Sequence, residues 1–308
     1  MPPESERTPG HPELKLPRSL VSDFILIQIP MAASAAALLF AVSRLLDRPL
    51  DAAWYVAAFL GTWCVYLRDS AASCDAEDRI SQPRRAAKFR SSRLLRTGLP
   101  ILSAVLGITV LFWIRPERLT LALLLFVAIL GLLHAIPFGG ARGAGRTRVD
   151  FKRLAVVKSP LVSIAWAGAA VALPLLEGRG ESSTANDWII GMWLAGLLMP
   201  LLLADSLLLD IRDLEADRAF NLHTIAVRAG SNRVHLLVGS LIAVSIVVAF
   251  LATTQISAPP DWMSDSLTAG IGLGLGWACW PWLRRREAAI SMSMMAWRFL
   301  LLIPVTLG

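Results

Sequence analysis

The sequence predicts an all-α, polytopic membrane protein of about nine transmembrane helices, and three observations predict it. Of 308 residues, 55% are hydrophobic and only 17% charged, with a mean hydropathy of +0.58, whereas soluble domains carry nearer ~25% charged residues. The apolar residues gather into runs of the length that an α-helix needs to cross a bilayer core, roughly 20 residues. Lys and Arg fall into alternate loops, as they do when one side of a membrane retains positive charge.

The first element is a polar stretch, residues 1–18, interrupted by Pro2, Pro3, Pro9, Pro12 and Pro17. Proline removes backbone donors and disfavours a helix, so a disordered tail is expected there. The first apolar run starts late and is as long as a full span, which argues against a cleaved signal peptide. Candidate spans then lie near 22–45, 50–67, 97–114, 118–138, 154–176, 187–209, 233–253, 267–283 and 287–307. Together they form one transmembrane domain, 19–308, with no room for a separate soluble domain.

An odd number of spans puts the two termini on opposite sides. One set of loops holds Arg68, Arg79, Arg84, Arg85, Lys88, Arg90, Arg93 and Arg96 after span two. The same set holds Arg142, Arg146, Arg148, Lys152, Arg153 and Lys158 after span four, and Arg212, Arg218, Arg228 and Arg233 after span six. The opposite set holds only Arg44, Arg48, Arg115, Arg118 and Arg179. The positive-inside rule therefore places the N-terminus and the basic loops in the cytoplasm. The net charge of +7 is thus a topology signal, and a nucleic-acid partner is not expected. Arg284, Arg285 and Arg286 after span eight fit that orienting role alone. Cys64, Cys74 and Cys279 form no CxxC pair and the four histidines are scattered, so neither a disulfide framework nor a zinc site is indicated.

Positive-inside sorting does not call for aspartates, yet two of the basic loops contain them in clusters. Span six ends in LLLADSLLLDIRDLEADRAFNLHTIAVRAG, where Asp210, Asp213 and Asp217 are spaced by three and then four. On one helix these carboxylates share a face, and like charges so placed cost about 0.2–0.5 kcal/mol per pair. Arg212 and Arg218 project from neighbouring positions, so a hard divalent cation is one candidate to compensate the stripe. Magnesium takes oxygen ligands and is held by one or two carboxylates together with substrate phosphates. A solvated acidic helix end fits the spacing equally. After span two, Asp69, Asp75, Glu77 and Asp78 repeat the theme. Laying Asp78-Arg79 over Asp217-Arg218 gives a weak internal repeat four spans apart, which keeps both clusters on one side of the membrane.

These residues resemble a known family. The stretch Asp210-Ile-Arg-Asp213-Leu-Glu-Ala-Asp217, followed by Thr224 and Gly230, is similar to the second Asp-rich motif of the UbiA-type intramembrane prenyltransferases. Asp78-Arg-Ile-Ser-Gln-Pro83-Arg-Arg85 resembles the end of the first motif. Leu133-His-Ala-Ile-Pro137, Phe151-Lys-Arg-Leu and Lys158-Ser-Pro-Leu-Val-Ser-Ile-Ala-Trp166 resemble the segment between spans four and five. The first motif departs from the family pattern: its earlier positions read Ser70, Ala71 and Cys74, with Asp69 and Asp75 each one residue from an expected acid.

The resemblance implies a helical bundle around a central cavity, with magnesium held by Asp69, Asp75, Asp78, Asp210, Asp213 and Asp217. It also implies an isoprenyl diphosphate bound by Arg79, Arg85, Lys152, Arg153, Lys158 and Arg212. Asp78, Asp210, Asp213 and Asp217 are the acids expected to serve catalysis, the transfer of the prenyl group to an aromatic or other lipophilic acceptor. The irregular first motif leaves two other expectations open, a membrane terpene cyclase and a non-catalytic lipid-binding or transport relative.

Two further features have a physical reading. Trp63, Trp113, Trp188, Trp262, Trp280 and Trp282 lie near expected span ends, as in an interfacial belt. Arg298 lies inside span nine, where an ionised group costs ~2.5–3.5 kcal/mol on insertion scales. It is expected to face a polar partner or the cavity.

Overall fold

The computed structural model describes residues 27–75, 78–135, 155–179, 183–220, 222–255, 272–274, 277 and 296–302. Every element among them is helical. The tail 1–18 and most of spans eight and nine, with Trp262, Trp280 and Trp282, lie outside the described residues.

Seven of the expected spans are present as helices. They are α1 (Ile29–Leu45), α2 (Ala52–Ser73), α5 (Leu99–Ile114), α6 (Arg118–Ala135), α7 (Ala155–Glu177), α8 (Ala185–Arg212) and α11 (Ser231–Gln255). Between the spans lie the short helices α3 (Asp78–Ser81), α4 (Pro83–Ser91), α9 (Leu214–Ala219) and α10 (Ile225–Ala229). A π-helical turn, Leu94–Gly98, leads into α5. Among the described residues four stretches, Leu94–Ile114, Ser159–Glu177, Ala185–Arg212 and Ser231–Ala252, are long and apolar enough to cross a membrane.

The packing follows from residue size. α1 buries Ala32, Ser34, Ala35, Ala37, Ala41 and Ser43, small side chains that let neighbouring backbones approach closely. α8 is the central helix, burying Leu194, Leu197, Leu198, Leu201, Leu207 and Leu208 between α7 and α11. Pro200 removes one backbone donor from α8. In the turn before it, the Ser245 hydroxyl of α11 donates to the Leu197 carbonyl at 2.8 Å. Toward the periphery the pattern inverts: Ile101, Leu102, Val105, Phe112 and Trp113 of α5 and Leu236, Val247 and Phe250 of α11 are exposed. Apolar side chains turned outward are what lipid demands.

The sparsely charged end is closed by local ion pairs. Arg48 reaches Asp187 at 2.6 Å, and Arg179 pairs with Asp51. Asp187 also completes a capping box with Thr184 at the start of α8, so one carboxylate both caps that helix and ties the α1–α2 connection to it.

One boundary differs in a way that moves a residue. The second span was expected to end at 67, but α2 runs on to Ser73; hydropathy falls at Arg68-Asp69 while the helix continues. Trp63 accordingly sits in mid-helix, half-buried, donating its indole N–H to the Ile27 carbonyl at 2.8 Å, rather than at a span end. Trp113 and Trp188 are exposed near helix ends.

Candidate functional site

The acidic end of α8 does not form one continuous stripe. The chain turns at Asp213, which is the C-cap of α8 with φ −89° and ψ 4° and also the N-cap of α9. Asp210 thus belongs to α8 and Asp217 to α9, both buried, while Asp213 stands at the corner between them. Arg212 donates to Asp213 from Nε at 2.8 Å and from Nη2 at 2.6 Å. The chain therefore supplies its own cation to this carboxylate, where spacing alone had set Arg212 off the stripe. Asp210 accepts from the Ser159 hydroxyl at 3.1 Å, which brings the N-terminal turn of α7 onto the acidic end. Beyond α9, Thr224 caps α10 by accepting from the Val227 amide at 3.3 Å. Gly230, at φ 82°, closes α10 in a conformation that other residues rarely adopt.

The first acidic segment is organised around Asp78. Its carboxylate accepts from Arg85 Nε at 3.1 Å and Nη2 at 2.8 Å, a two-pronged match of planar groups. The Ser73 hydroxyl lies 2.8 Å from Asp78 Oδ2 and 2.9 Å from the Asp69 carbonyl, so its single proton is shared between them. Arg85 is aimed inward by α4, whose Ala86 and Phe89 pack against Leu67, Ala71 and Cys74 of the α2 end. The helix that carries Asp78, α3, packs against α9, the helix that carries Asp217. The two acidic segments are thereby brought together.

The other expected residues are placed as follows. Arg79 is exposed on α3. Asp75 is exposed and paired with Arg96 at 3.0 Å. Asp69 lines the large cavity described below. Lys152 and Arg153 lie outside the described residues, as does the side chain of Lys158. Among the described residues no group of three or more His, Cys, Asp or Glu side chains is gathered closely enough to hold a metal ion. The donor set itself, carboxylate oxygens without thiolate or imidazole, is the hard kind that suits magnesium.

Beneath the acidic segments lies a cavity of about 310 Å³ walled by α1, α2, α6 and α7, with Leu111 of α5. Its α2 wall is one face of the helix: Trp54, Ala57, Ala58, Gly61, Thr62, Val65, Tyr66 and Asp69. These recur at the helical period, and from Trp54 to Asp69 the face runs for fifteen steps, about 22 Å of helix. Asp69 is the sole acidic or basic residue among its lining residues, and Tyr66 adds one phenol hydroxyl.

Tyr66, Val162 and Trp166 also border a second, smaller chamber of about 40 Å³. Its polar side holds Ser163, Asp205, Ser206 and Arg298. Arg298 pairs with Asp205, donates to Ser34 Oγ at 3.1 Å and stacks 4.5 Å above the Trp166 ring. The partner that a charge inside span nine requires is thus Asp205. Sequence reasoning passed over that residue, although an acid inside an apolar span is a signal in itself. It also missed Ser73 and Ser159, whose only signal was their position beside the motifs.

Comparison with solved structures finds the same fold. A UbiA homologue from Aeropyrum pernix K1 superimposes with a TM-score of 0.64 at 13% identity, covering 91% of this chain and 98% of the other. A structure described for digeranylgeranylglyceryl phosphate synthase in membranes gives 0.56 at 12% identity, covering 94% and 98%. A UbiA homologue from Archaeoglobus fulgidus, bound to DMAPP and Mg2+, gives 0.53 at 16% identity, covering 91% and 98%. No family model and no curated protein matches the chain. The chain has the helical fold of UbiA homologues.

Proposed function

We propose that the chain is a magnesium-dependent prenyltransferase of the UbiA type, moving an isoprenyl group from an allylic diphosphate to an aromatic or other lipophilic acceptor. One observation carries the reading: two acidic segments, α3 with Asp78 and α9 with Asp217, pack together above a long apolar cavity. A diphosphate with an apolar tail is the ligand class for such a charge distribution. In the fold shared with this chain, one UbiA homologue is described as bound to DMAPP and Mg2+.

In this reading Asp69, Asp78, Asp210, Asp213 and Asp217 hold magnesium. Arg79, Arg85, Lys152, Arg153, Lys158 and Arg212 bind the diphosphate. Asp75 is left aside because its carboxylate is exposed and taken by Arg96. What magnesium supplies when bound is neutralisation of the negative charge on the departing diphosphate. Arg85 and Arg212 are guanidinium forks already matched to carboxylates, and phosphate oxygens suit the same geometry. An arriving diphosphate competes for those forks and so releases Asp78 and Asp213 toward a cation. The apolar walls below keep water from the allylic cation, and a tail enters from lipid. Positive-inside sorting puts the N-terminus and the acidic loops in the cytoplasm.

The test is diphosphate release by purified protein with magnesium and a panel of allylic diphosphates, of increasing chain length, together with phenolic acceptors. Release that requires magnesium and is lost in Asp213→Asn supports the reading; unchanged release in Asp213→Asn sinks the metal-site assignment. A second reading, a non-catalytic lipid-binding or transport relative, is favoured by the closed Asp78–Arg85 pair and by the ungathered carboxylates. It requires tight binding with no release from any diphosphate. Release without an added acceptor would instead mark a cyclase.

A further inference from the structure

We propose that the small chamber at Asp205 and Arg298 is a binding site for one hydroxyl group of a neutral phenol or alcohol. Its role as the acceptor's anchor rests on the transferase reading above; its chemistry does not.

The ion pair there is incomplete. Arg298 uses Nη2 on Asp205 and Nη1 on Ser34, while Arg298 Nε and Asp205 Oδ1 are buried without a hydrogen-bond partner. Asp205 is 1% exposed and Arg298 5%, and both line the chamber. The Trp297 indole N–H lies near Asp205 without a well-formed bond, and is itself unpartnered. Buried polar atoms are nearly always satisfied, so an orphan acceptor and orphan donors flanking one ion pair call for a ligand.

A hydroxyl answers both needs, because its proton goes to Oδ1 while its oxygen accepts from an N–H. A carboxylate or phosphate has no proton for Asp205 and adds a second negative charge beside it. An ammonium has nothing to offer Nε. The space of about 40 Å³ exceeds the roughly 10–15 Å³ that one water needs, so it admits a hydroxyl together with the first atoms that carry it. The rest of the molecule extends past Tyr66 and Trp166 into the apolar cavity that shares them.

Trp166 against the guanidinium plane holds Arg298 in one orientation. Asp205 precedes Asp210 by five residues, about 7.5 Å along α8. A hydroxyl anchored there sits one and a half turns inside the acidic end, beside the first carbons of a chain whose diphosphate lies at that end.

The experiment uses the full chain in lipid nanodiscs, with binding of 4-methylphenol, toluene and 4-methylbenzoate measured by calorimetry without any diphosphate. The wild type is expected to bind 4-methylphenol about tenfold or more tighter than the other two. The double variant D205L/R298M replaces a buried ion pair by apolar groups, a change that folds tolerate, and is expected to lose that preference. Asp205→Asn keeps an acceptor oxygen but removes the charge, so 4-methylbenzoate should gain about tenfold in affinity while 4-methylphenol still binds. Equal binding of toluene and 4-methylphenol by the wild type, tighter binding of 4-methylbenzoate, or a preference unchanged in the double variant would overturn the proposal and leave the chamber a water site. Hydroxyl-selective binding by a protein that releases no diphosphate keeps the subsite and overturns the transfer reading instead.

Discussion

Arg85 grips Asp78 with two hydrogen bonds, at 3.1 and 2.8 Å, and the two side chains are only 9% and 6% exposed. Removing one partner of such a pair strands a buried charge. Arg85→Met is therefore expected to lower stability by about 3–5 kcal/mol, as read from denaturation in a single detergent. Arg85→Lys should recover little of this, because an ammonium has no planar fork. Full recovery by Lys would show that charge alone, rather than the fork, holds Asp78.

The carboxylates should separate by burial. Asp210→Asn and Asp217→Asn are expected to lower diphosphate release by about 10²–10³-fold. Asp75→Asn should stay within about twofold of wild type, since an exposed pair contributes little. Steady-state release at saturating magnesium distinguishes them, and a silent Asp217→Asn would remove α9 from the site.

Cavity length should set prenyl length. Gly61 lines the cavity, and a Cβ added there meets no atom within 4 Å, so Gly61→Phe is expected to leave the backbone without a clash and to project its ring into the cavity. Gly61 lies eight residues from Asp69, about 12 Å along α2. Short diphosphates should turn over at near wild-type rates and the longest should fail. Competition between diphosphates of two lengths in one reaction reads this directly.

Burial pushes the Cys74 thiol up, with Asp75 adding to the effect. The thiolate is the reactive form, so with Cys64 and Cys279 replaced by Ala, maleimide labelling at Cys74 should be slow at neutral pH and quicken as pH rises. Asp75→Asn removes a negative charge that disfavours the thiolate, which shifts the labelling curve toward lower pH. A curve unmoved by this substitution would show that desolvation acts alone.

The fold was legible where lipid writes it most plainly, in the long apolar runs of α5, α7, α8 and α11. It was less legible in α2, because hydropathy drops at Arg68 and Asp69 while backbone hydrogen bonding carries the helix to Ser73. The acids of the site were readable as acids, since a charge cluster beside a span is costly whatever it does. Their partners were not. Arg85 lies only seven residues from Asp78, yet it meets that residue through a reversal of the chain between α3 and α4 that spacing does not encode. Asp205 and Arg298 are 93 residues apart, and each alone shows only that a partner must exist.

The helices differ in what surrounds them. In the apolar stretch of α8, 56% of residues are buried within the protein; in that ending at Ile114 on α5 the figure is 11%. α5 packs on α2 and turns its other side outward, so in a bilayer hydrocarbon would complete the packing of that flank. Replacing lipid by detergent exchanges part of the fold for a different material, so a stability measured for this chain belongs jointly to the chain and to the amphiphile that surrounds it.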